Sequence, residues 1–356
     1  MDKVPPEICT KIFSQACLDS GYTGRSLSLV SKFIHDTSQP VKLQSISLHG
    51  LNEIAAFASL LERTPPHLRR IRYLFITSHE LKPTRGTTHG IYAESLAERS
   101  GMQVINEAHG PSSQKIGHHA TNRFYQTVEG MMPGVVQSIL IYAAESAEVL
   151  ELDCSRFIAT KCDTTHPVSF HRLRELTTHG DYLLGLEGCP VIFGPCLRRL
   201  HIVHCGYDMD YEFGSIGSLA PSLTHLRVSG LQLEPWFGAD LEAALGISKE
   251  SSAHLGRNRR LPTARLPLSV QKVFVKPAGP PAPTGWCGTR VASYESLLNH
   301  LYSLNGKEDR LVLLKEEDEL TSSQHVDESD WLNRIAGGEG CWGVNEMIPK
   351  TGTRRE

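Results

Sequence analysis

The sequence repeats one short pattern, and its two clearest copies read Pro195-Cys196-Leu197-Arg198-Arg199-Leu200-His201-Ile202 and Pro221-Ser222-Leu223-Thr224-His225-Leu226-Arg227-Val228. Each copy arranges its residues as apolar-x-x-apolar-x-apolar, with a proline two residues before the first apolar position. A proline there closes a preceding helix and favours an extended backbone after it. Alternating apolar residues are typical of a β-strand. The pattern therefore predicts strands that follow helices.

The same pattern recurs along the chain at offsets close to multiples of about 25 residues, within the range of leucine-rich repeats. Further copies are Leu43/Ile46/Leu48, Leu68/Ile71/Tyr73, Ala147/Leu150/Leu152, Val270/Val273/Val275 and the weaker Leu173/Leu176/Thr178. Three such apolar positions arise by chance at about twenty places in a chain of this composition, so the prolines carry much of the argument. We expect an α/β domain of irregular leucine-rich repeats, with parallel strands and helices, over residues 41–276. An unrelated α/β domain is the alternative.

Residues 43–76 show how one repeat is built. A strand pattern at residues 43–48 is followed by apolar residues with helical spacing, namely Ile54, Phe57, Ala58 and Leu61. Thr64-Pro65-Pro66 ends this helix, and residues 68–76 form the next predicted strand. One strand, one helix and the next strand are therefore predicted within about 35 residues.

Two stretches interrupt the repeats. Residues 78–130 are rich in Ser, Thr, Gly and His and are interpreted as an insert. Lys276-Pro277 through Gly285 is dense in proline, which is typical of a linker, so residues 277–356 are expected to form a C-terminal segment. In that segment a helix is predicted near residues 294–301 and a short strand at 311–314. We expect Trp331, Ile335 and Trp342 to return the tail to the core.

The composition indicates a substantial core and no global charge that would select a partner. Of 356 residues, 40% are apolar, and the formal net charge is −3. Nucleic acid and anionic membranes are therefore not expected partners. The first residues, MDKVPPEICTKIFSQ, lack the apolar run of a secretory signal, and no stretch approaches the roughly 18 consecutive apolar residues of a membrane-spanning helix. We expect the protein in the cytoplasm or the nucleus.

The cysteines and histidines suggest no metal site. The nine cysteines are odd in number, scattered and without a CxxC pair, so reduced thiols are expected. The nearest approach to a ligand set comprises His201, His204 and Cys205, with Cys189 and Cys196 upstream and His118 and His119 elsewhere. His201 and His204 lie three apart in an apparent strand, where they point to opposite faces and cannot share an ion without a bend. We expect neither a metal nor a cofactor.

Motifs of catalysis are also missing from the sequence. Gly306-Lys307 lacks the upstream glycine of a phosphate-binding P-loop. The segment 213–218 has the order G-S-x-G rather than the G-x-S-x-G of a nucleophile elbow, and it is interpreted as a turn. A non-catalytic chain is therefore expected. A hydrolase or metal enzyme that uses the histidine-rich region is kept as an alternative.

Residues 4–40 predict a pair of amphipathic helices. Val4-Pro5-Pro6-Glu7-Ile8 is typical of a helix start, because proline suits the first helical positions and Glu7 favours the positive end of the helix dipole. The residues with helical spacing that follow are Ile8, Ile12, Phe13 and Ala16. Ser26 is the expected N-cap of a second helix that ends at Pro40. Its apolar face is expected to comprise Leu27, Val30 and Ile34.

This segment resembles the F-box motif, Leu-Pro-x-Glu-Ile-x-x-x-Ile-Phe followed by Leu-x-x-Val-Ser-Lys. The matching stretches are Val4-Pro5-Pro6-Glu7-Ile8 with Ile12-Phe13, and then Ser26-Leu27-Ser28-Leu29-Val30-Ser31-Lys32-Phe33-Ile34. The chain is similar to the F-box-like proteins of basidiomycete fungi, strongly over residues 4–40 and less specifically over the rest. Two positions depart from the pattern: Val4 replaces leucine, and Phe33 stands nearest to where a tryptophan often follows Ser-Lys.

The resemblance implies a three-helix unit over residues 1–40 that docks on a Skp-family adaptor, and through it on a cullin, in a ubiquitin ligase. The repeats would then bind a target protein. By the same resemblance the adaptor contacts are Pro5, Pro6, Ile8, Ile12, Leu27, Val30 and Ile34. A segment this short gains stability by packing on a partner or on the repeats. The competing hypothesis is a non-catalytic repeat scaffold whose helices only cover the end of the array.

Overall fold

The structure is a computed structural model. It describes residues 4–80, 132–154, 168–179, 191–203, 213–231, 237–247, 265–281, 289–316, 328–343 and 347–350. Nearly all of the expected insert at 78–130 lies outside these described residues.

Helices and strands alternate through most of the described chain. The helices are α1 (Pro6–Ala16), α2 (Tyr22–Leu27), α3 (Lys32–Ser38), α4 (Gly50–Arg63), α5 (132–143), α6 (Phe213–Leu219), α7 (Phe237–Ala244), α8 (Thr289–Lys307) and α9 (Glu328–Ile335). The strands are β1 (Ser45–His49), β2 (Tyr73–Thr77), β3 (Val149–Asp153), β4 (Val168–Phe170), β5 (Glu175–His179), β6 (Val191–Phe193), β7 (Arg199–Val203), β8 (His225–Leu231), β9 (Lys272–Pro277) and β10 (Leu311–Leu313). Short 3₁₀ turns cover Gln39–Val41, Pro66–Leu68 and Gly340–Trp342.

Eight strands form one sheet in the order β1-β2-β3-β5-β7-β8-β9-β10, and β4 and β6 form a separate pair. Every pairing between these strands is parallel. The strands of the large sheet therefore follow one another across the sheet in the same order as along the chain. The fold is α/β with a mostly parallel sheet, as predicted for its class.

The repeated apolar positions lie side by side across the sheet. The middle position of the pattern forms a continuous row in which Leu150, Leu176, Leu200, Leu226 and Val273 are cross-strand partners. These side chains are almost completely buried in the main core. Because alternate residues of a strand point to opposite faces, the residues between them form the other face of the sheet.

The second copy of the pattern lies three residues later in the structure than the sequence predicts. Leu74, not Ile71, pairs with Ile46 of β1, so the copy in register is Ile71/Leu74/Ile76. The strand starts at Tyr73 because Pro65 and Pro66 begin a 3₁₀ turn that contains Leu68. The predicted turn at 213–218 is also wrong, since these residues lie in helix α6.

Helices cover one face of the sheet. The residues Ile54, Phe57, Ala58 and Leu61 on α4 are all buried, which confirms their predicted common face. Helices α5, α6, α7 and α8 contribute buried side chains to the same core. After residue 277 the chain forms helix α8 and then strand β10, which pairs with β9 and so extends the sheet. Leu311 of β10 lies beside Val273 of β9. The sheet therefore does not end at the proline-rich stretch.

Candidate docking surfaces

Helices α1, α2 and α3 form a small unit with its own apolar interior. Cys9, Phe13 and Cys17 of the α1 region pack against Ile34 of α3 and Val41. Helix α1 starts with proline at its first positions and with Glu7 in its first turn, as the sequence predicted. The interior involves only a few side chains, so the stability of this unit depends on its contacts with the rest of the chain or with a partner.

Asp19 determines where α2 begins. Its two carboxylate oxygens accept hydrogen bonds from the backbone N–H of Gly21 at 2.9 Å and of Thr23 at 2.8 Å. Gly21 has a φ of 92°, a conformation that glycine adopts without strain. Consequently α2 starts at Tyr22, and Ser26 lies inside it rather than capping the next helix.

The true N-cap of α3 is Ser31, whose hydroxyl accepts the N–H of Ile34 at 3.2 Å. The sequence prediction of one helix from Ser26 to Pro40 is therefore wrong in its start. Residues 28–31 instead connect two short helices, which leaves Leu29 and Val30 outside both.

The three-helix unit is attached to the first strand of the sheet. The side chain of Gln44 donates to the Ser14 carbonyl at 2.8 Å, and the Ser45 hydroxyl donates to the Asp19 carbonyl. The N–H of Ser47 in β1 donates to the carbonyl of Ser20. The 14–20 region thus satisfies polar groups at the edge of β1, which would otherwise face solvent.

Apolar side chains remain exposed on this unit. Those with large exposed surfaces are Ile8, Ile12, Tyr22, Leu29 and Val30. Leu29 is 86% exposed and Val30 is 67% exposed, and these two neighbours together with the others form a group of exposed apolar residues on one small unit. Ile8 and Ile12 lie one helical turn apart on α1.

The seven residues assigned to adaptor contact divide into two groups. Exposed side chains belong to Pro5, Pro6, Ile8, Ile12 and Val30. Leu27 is partly buried against the small core, and Ile34 is buried within it. Sequence reasoning missed Leu29 and Tyr22, because a continuous helix from Ser26 would have put Leu29 off the apolar face.

The second candidate surface is the sheet face opposite the helices, which is polar in its middle. In one cross-strand row, Glu151, Thr177, His201 and Arg227 occupy neighbouring strands β3, β5, β7 and β8. Each lies next to a leucine or isoleucine that points into the core on the other face. The sheet thus has one apolar face and one face with charged and hydrogen-bonding groups.

Residues 328–343, here called the C-terminal strap, cover this polar face. Trp331, Ile335 and Trp342 are buried, as expected for a tail that packs back on the fold, but they lie in two small clusters on the polar face and not in the main core. Trp331 packs on Phe75 of β2 with ring centroids 5.7 Å apart. Trp342 packs edge-on against Phe274 of β9 at 5.9 Å. The strap therefore crosses the sheet from β2 to β9.

Glu175 is the polar centre of the strap contact. One of its carboxylate oxygens accepts the indole N–H of Trp342 at 2.6 Å, and the other accepts the guanidinium of Arg334 at 2.7 Å. The guanidinium of Arg199 lies 5.6 Å over the Trp342 ring, in a cation–π arrangement. Hydrogen bonds to a charged acceptor of this kind are stronger than neutral ones.

Burial under the strap shifts the titration of several groups. It raises the pKa of the Glu151 carboxyl, an effect that a hydrogen bond with His179 opposes. Burial, and secondly the charge of Arg227, lowers the pKa of His201 well below its ordinary range. His201 is therefore neutral near pH 7 and shares a 3.0 Å hydrogen bond with the Ser229 hydroxyl. Burial also raises the pKa of the Cys341 thiol.

The described part of the chain shows neither a metal-ligand cluster nor a membrane-spanning helix. Among its residues there is no group of three or more His, Cys, Asp or Glu side chains placed to hold a metal ion. Of the ligand set considered from the sequence, the residues His118, His119, Cys189, His204 and Cys205 lie outside the described residues. No helix within the described ranges is both long and apolar enough to cross a membrane.

Comparison with known proteins assigns no family. No protein-family model matches the chain, and no curated protein matches it.

Proposed function

We propose that the chain is a substrate-recruiting adaptor of a ubiquitin ligase, in which the N-terminal helices dock on a Skp-family protein and the repeats bind a target protein. One observation carries this proposal: the three-helix unit exposes Ile8, Ile12, Leu29 and Val30 while its small interior is already filled. Exposed apolar side chains concentrated on one small unit are typical of a protein-binding surface.

The energetics favour a partner on this unit. Complete burial of an aliphatic side chain contributes about 1.5–3 kcal/mol relative to its exposed state. Ile8 and Ile12 repeat at one helical turn, so a partner helix or groove can contact both. We propose that the partner is a Skp-family adaptor and, through it, a cullin.

The arrangement of the sheet supports the repeat part of the proposal. Consecutive chain segments stack as neighbouring parallel strands, and the same pattern position recurs along the row from Leu150 to Val273. Stacking of this kind is a property of repeat proteins, which use their extended surfaces for binding. We place the docking unit at 1–40, irregular leucine-rich repeats at 41–276 and a C-terminal segment at 277–356. The proposed chain is non-catalytic, works in the cytoplasm or nucleus, and needs no cofactor, nucleic acid or membrane.

The test is co-purification of the full chain with a fungal Skp-family protein. The double substitution Ile8→Asp and Ile12→Asp should abolish association without unfolding the chain, because both side chains are exposed. Ile141→Asp on α5 is the matched control, since Ile141 is 48% exposed and Ile8 is 47% exposed. Association of the wild type and the control but not of the double variant is expected. No association of the wild type would refute the proposal.

A second function is favoured by the hydrogen bonds between residues 14–20 and β1. They suit a scaffold in which the helical unit has no ligase partner and only covers the end of the repeats. Removing residues 1–40 distinguishes the two proposals. Aggregation of the remainder would favour the scaffold, whereas a soluble remainder that has lost only Skp-family association would favour the adaptor.

A further inference from the structure

The residues beneath the strap are unusual for a sheet that is covered on both faces. Strands buried on both sides normally consist of continuous apolar runs. Here Thr177, His201 and Arg227 are buried on the strap side, and Glu151 lies beside them. Covering such groups removes their hydration, which opposes closure. The face has the composition of a surface that meets water or a polar partner.

The strap is attached by a small set of buried side chains and by polar contacts, namely those of Arg334 and Trp342 with Glu175 and that of Glu328 with His49 at 3.1 Å. Only Trp331, Ile335 and Trp342 of its side chains are buried, while Ser329, Asp330, Asn333 and Glu339 are exposed. The indole nitrogen of Trp331 is buried and has no hydrogen-bond partner among the described residues. Water would satisfy this N–H when the strap is released. Both sides of the contact thus gain hydration on opening.

We propose that the polar face formed by β3, β5, β7 and β8 is a binding surface for a protein segment that carries an indole and a guanidinium, and that the strap occupies it as an intramolecular substitute. The geometry around Glu175 supports this, since one carboxylate receives both the Trp342 indole and the Arg334 guanidinium. Phe274 and His225 supply the aromatic contacts beside it. The inference rests on the proposed function in treating the repeats as the target-binding part.

The fraction of molecules in which the strap covers the face determines the apparent affinity for a separate protein segment. A ligand reaches the face only in the open fraction of molecules, so its apparent dissociation constant rises in inverse proportion to that fraction. Weakening the strap without altering the sheet should therefore strengthen binding of a separate segment.

Cys341 reports the opening of the strap. Its sulfur lies 3.6 Å from Nδ1 of His201, and burial raises the pKa of the thiol. Alkylation requires an accessible thiolate, so release of the strap should speed labelling at Cys341 by about tenfold or more. Mass spectrometry of digested protein separates this site from the other cysteines.

The experiment uses the full chain in four forms: wild type, Arg334→Ala, Trp342→Ala and the control Glu339→Gln. Arg334→Ala removes a polar anchor without opening a large cavity, so it stays informative even if Trp342→Ala unfolds the chain. Glu339 is in the strap but exposed, and its substitution should leave labelling unchanged. Faster Cys341 labelling is expected in both anchor variants.

Binding is then measured by fluorescence anisotropy with a labelled synthetic peptide of residues 328–343. We expect saturable binding to Arg334→Ala and about tenfold weaker binding to the wild type. A peptide with both Arg334→Ala and Trp342→Ala should not bind. Faster labelling without peptide binding would overturn the proposal, and so would labelling at the wild-type rate in both anchor variants. Neither result depends on the Skp-family co-purification, so failure of this inference is distinguishable from failure of the proposed function.

Discussion

Gly24 is the position where the three-helix unit comes closest to the chain that leads into the sheet. A Cβ atom placed on Gly24 would lie 2.5 Å from the Lys42 carbonyl oxygen and 3.2 Å from the Lys42 Cα. These are backbone atoms next to the 3₁₀ turn Gln39–Val41, so they cannot move aside as a flexible side chain could. Gly24→Ala should therefore force α2 away from Lys42.

Two opposing effects determine the size of this change. Overpacking costs about 1–3 kcal/mol, whereas replacing a helical glycine by alanine gains about 0.5–1 kcal/mol. We expect Gly24→Ala to destabilise the protein by about 1–2 kcal/mol. Gly134→Ala on α5 is the matched control, because nothing lies within 4 Å of its added Cβ. That substitution should stabilise by up to about 1 kcal/mol.

The assay is urea unfolding followed by circular dichroism, with hydrogen exchange over residues 22–38 to detect local opening of the unit. The two alanine variants should shift the unfolding midpoint in opposite directions. In Gly24→Ala, exchange in α2 and α3 should become faster than in the wild type. A Gly24→Ala protein as stable as the wild type, with unchanged exchange, would refute the close contact between α2 and Lys42.

Three further predictions follow from the packing and the titration. Leu226→Ala should lower the free energy of unfolding, measured in urea, by about 3 kcal/mol, because this side chain is completely buried in the central row. Leu268→Ala should change it little, since Leu268 is 98% exposed. Equal effects of the two substitutions would contradict the assigned register. Asp19→Ala should cost about 1 kcal/mol by removing the acceptor of the Thr23 N–H, and an unchanged melting temperature would contradict this role. The lowered pKa of His201 means that the unfolded chain binds a proton first, so stability should fall as the pH drops below about 6.5. Melting temperatures at about pH 7.5 and about pH 5.5 should show a smaller loss in His201→Gln than in the wild type, and equal losses would exclude the contribution.

The sequence predicted the sheet well because its signal is local. A proline before an apolar-x-x-apolar-x-apolar run identified the strands that contain Leu200 and Leu226, and the pairing of these two residues follows from equal positions in the pattern. The pattern predicts the wrong strand start at Leu68, because a second apolar run begins three residues later and Pro66 starts a 3₁₀ turn instead of a strand. Strands that start near Leu68 or near Ile71 both fit the spacing of apolar residues. Only the pairing with β1 distinguishes them.

The candidate surfaces were predicted less completely. The sequence predicted Ile8, Ile12 and Val30 as contact residues but not Leu29. Leu29 is exposed because Asp19 fixes an early start of α2 and Ser31 caps a separate helix α3, so that Leu29 lies between the two helices. Such hydrogen bonds from short polar side chains are weak signals in a sequence. The contact of Glu175 with the strap joins positions 167 residues apart, and no local pattern predicts a pairing at that distance.

The order of the strands also bears on how the chain tolerates changes in length. Strands β2 and β3 are direct neighbours although 71 residues, 78–148, separate them, whereas 19 residues, 180–198, separate β5 and β7. Loop-closure entropy grows only with the logarithm of the number of residues in a connection, so the difference between 71 and 19 residues corresponds to about 1 kcal/mol. Changes in the length of the β2–β3 connection that leave helix α5 intact should therefore have little effect on equilibrium stability. The long sequence separation should slow folding instead, and we expect the β2–β3 pairing to form last.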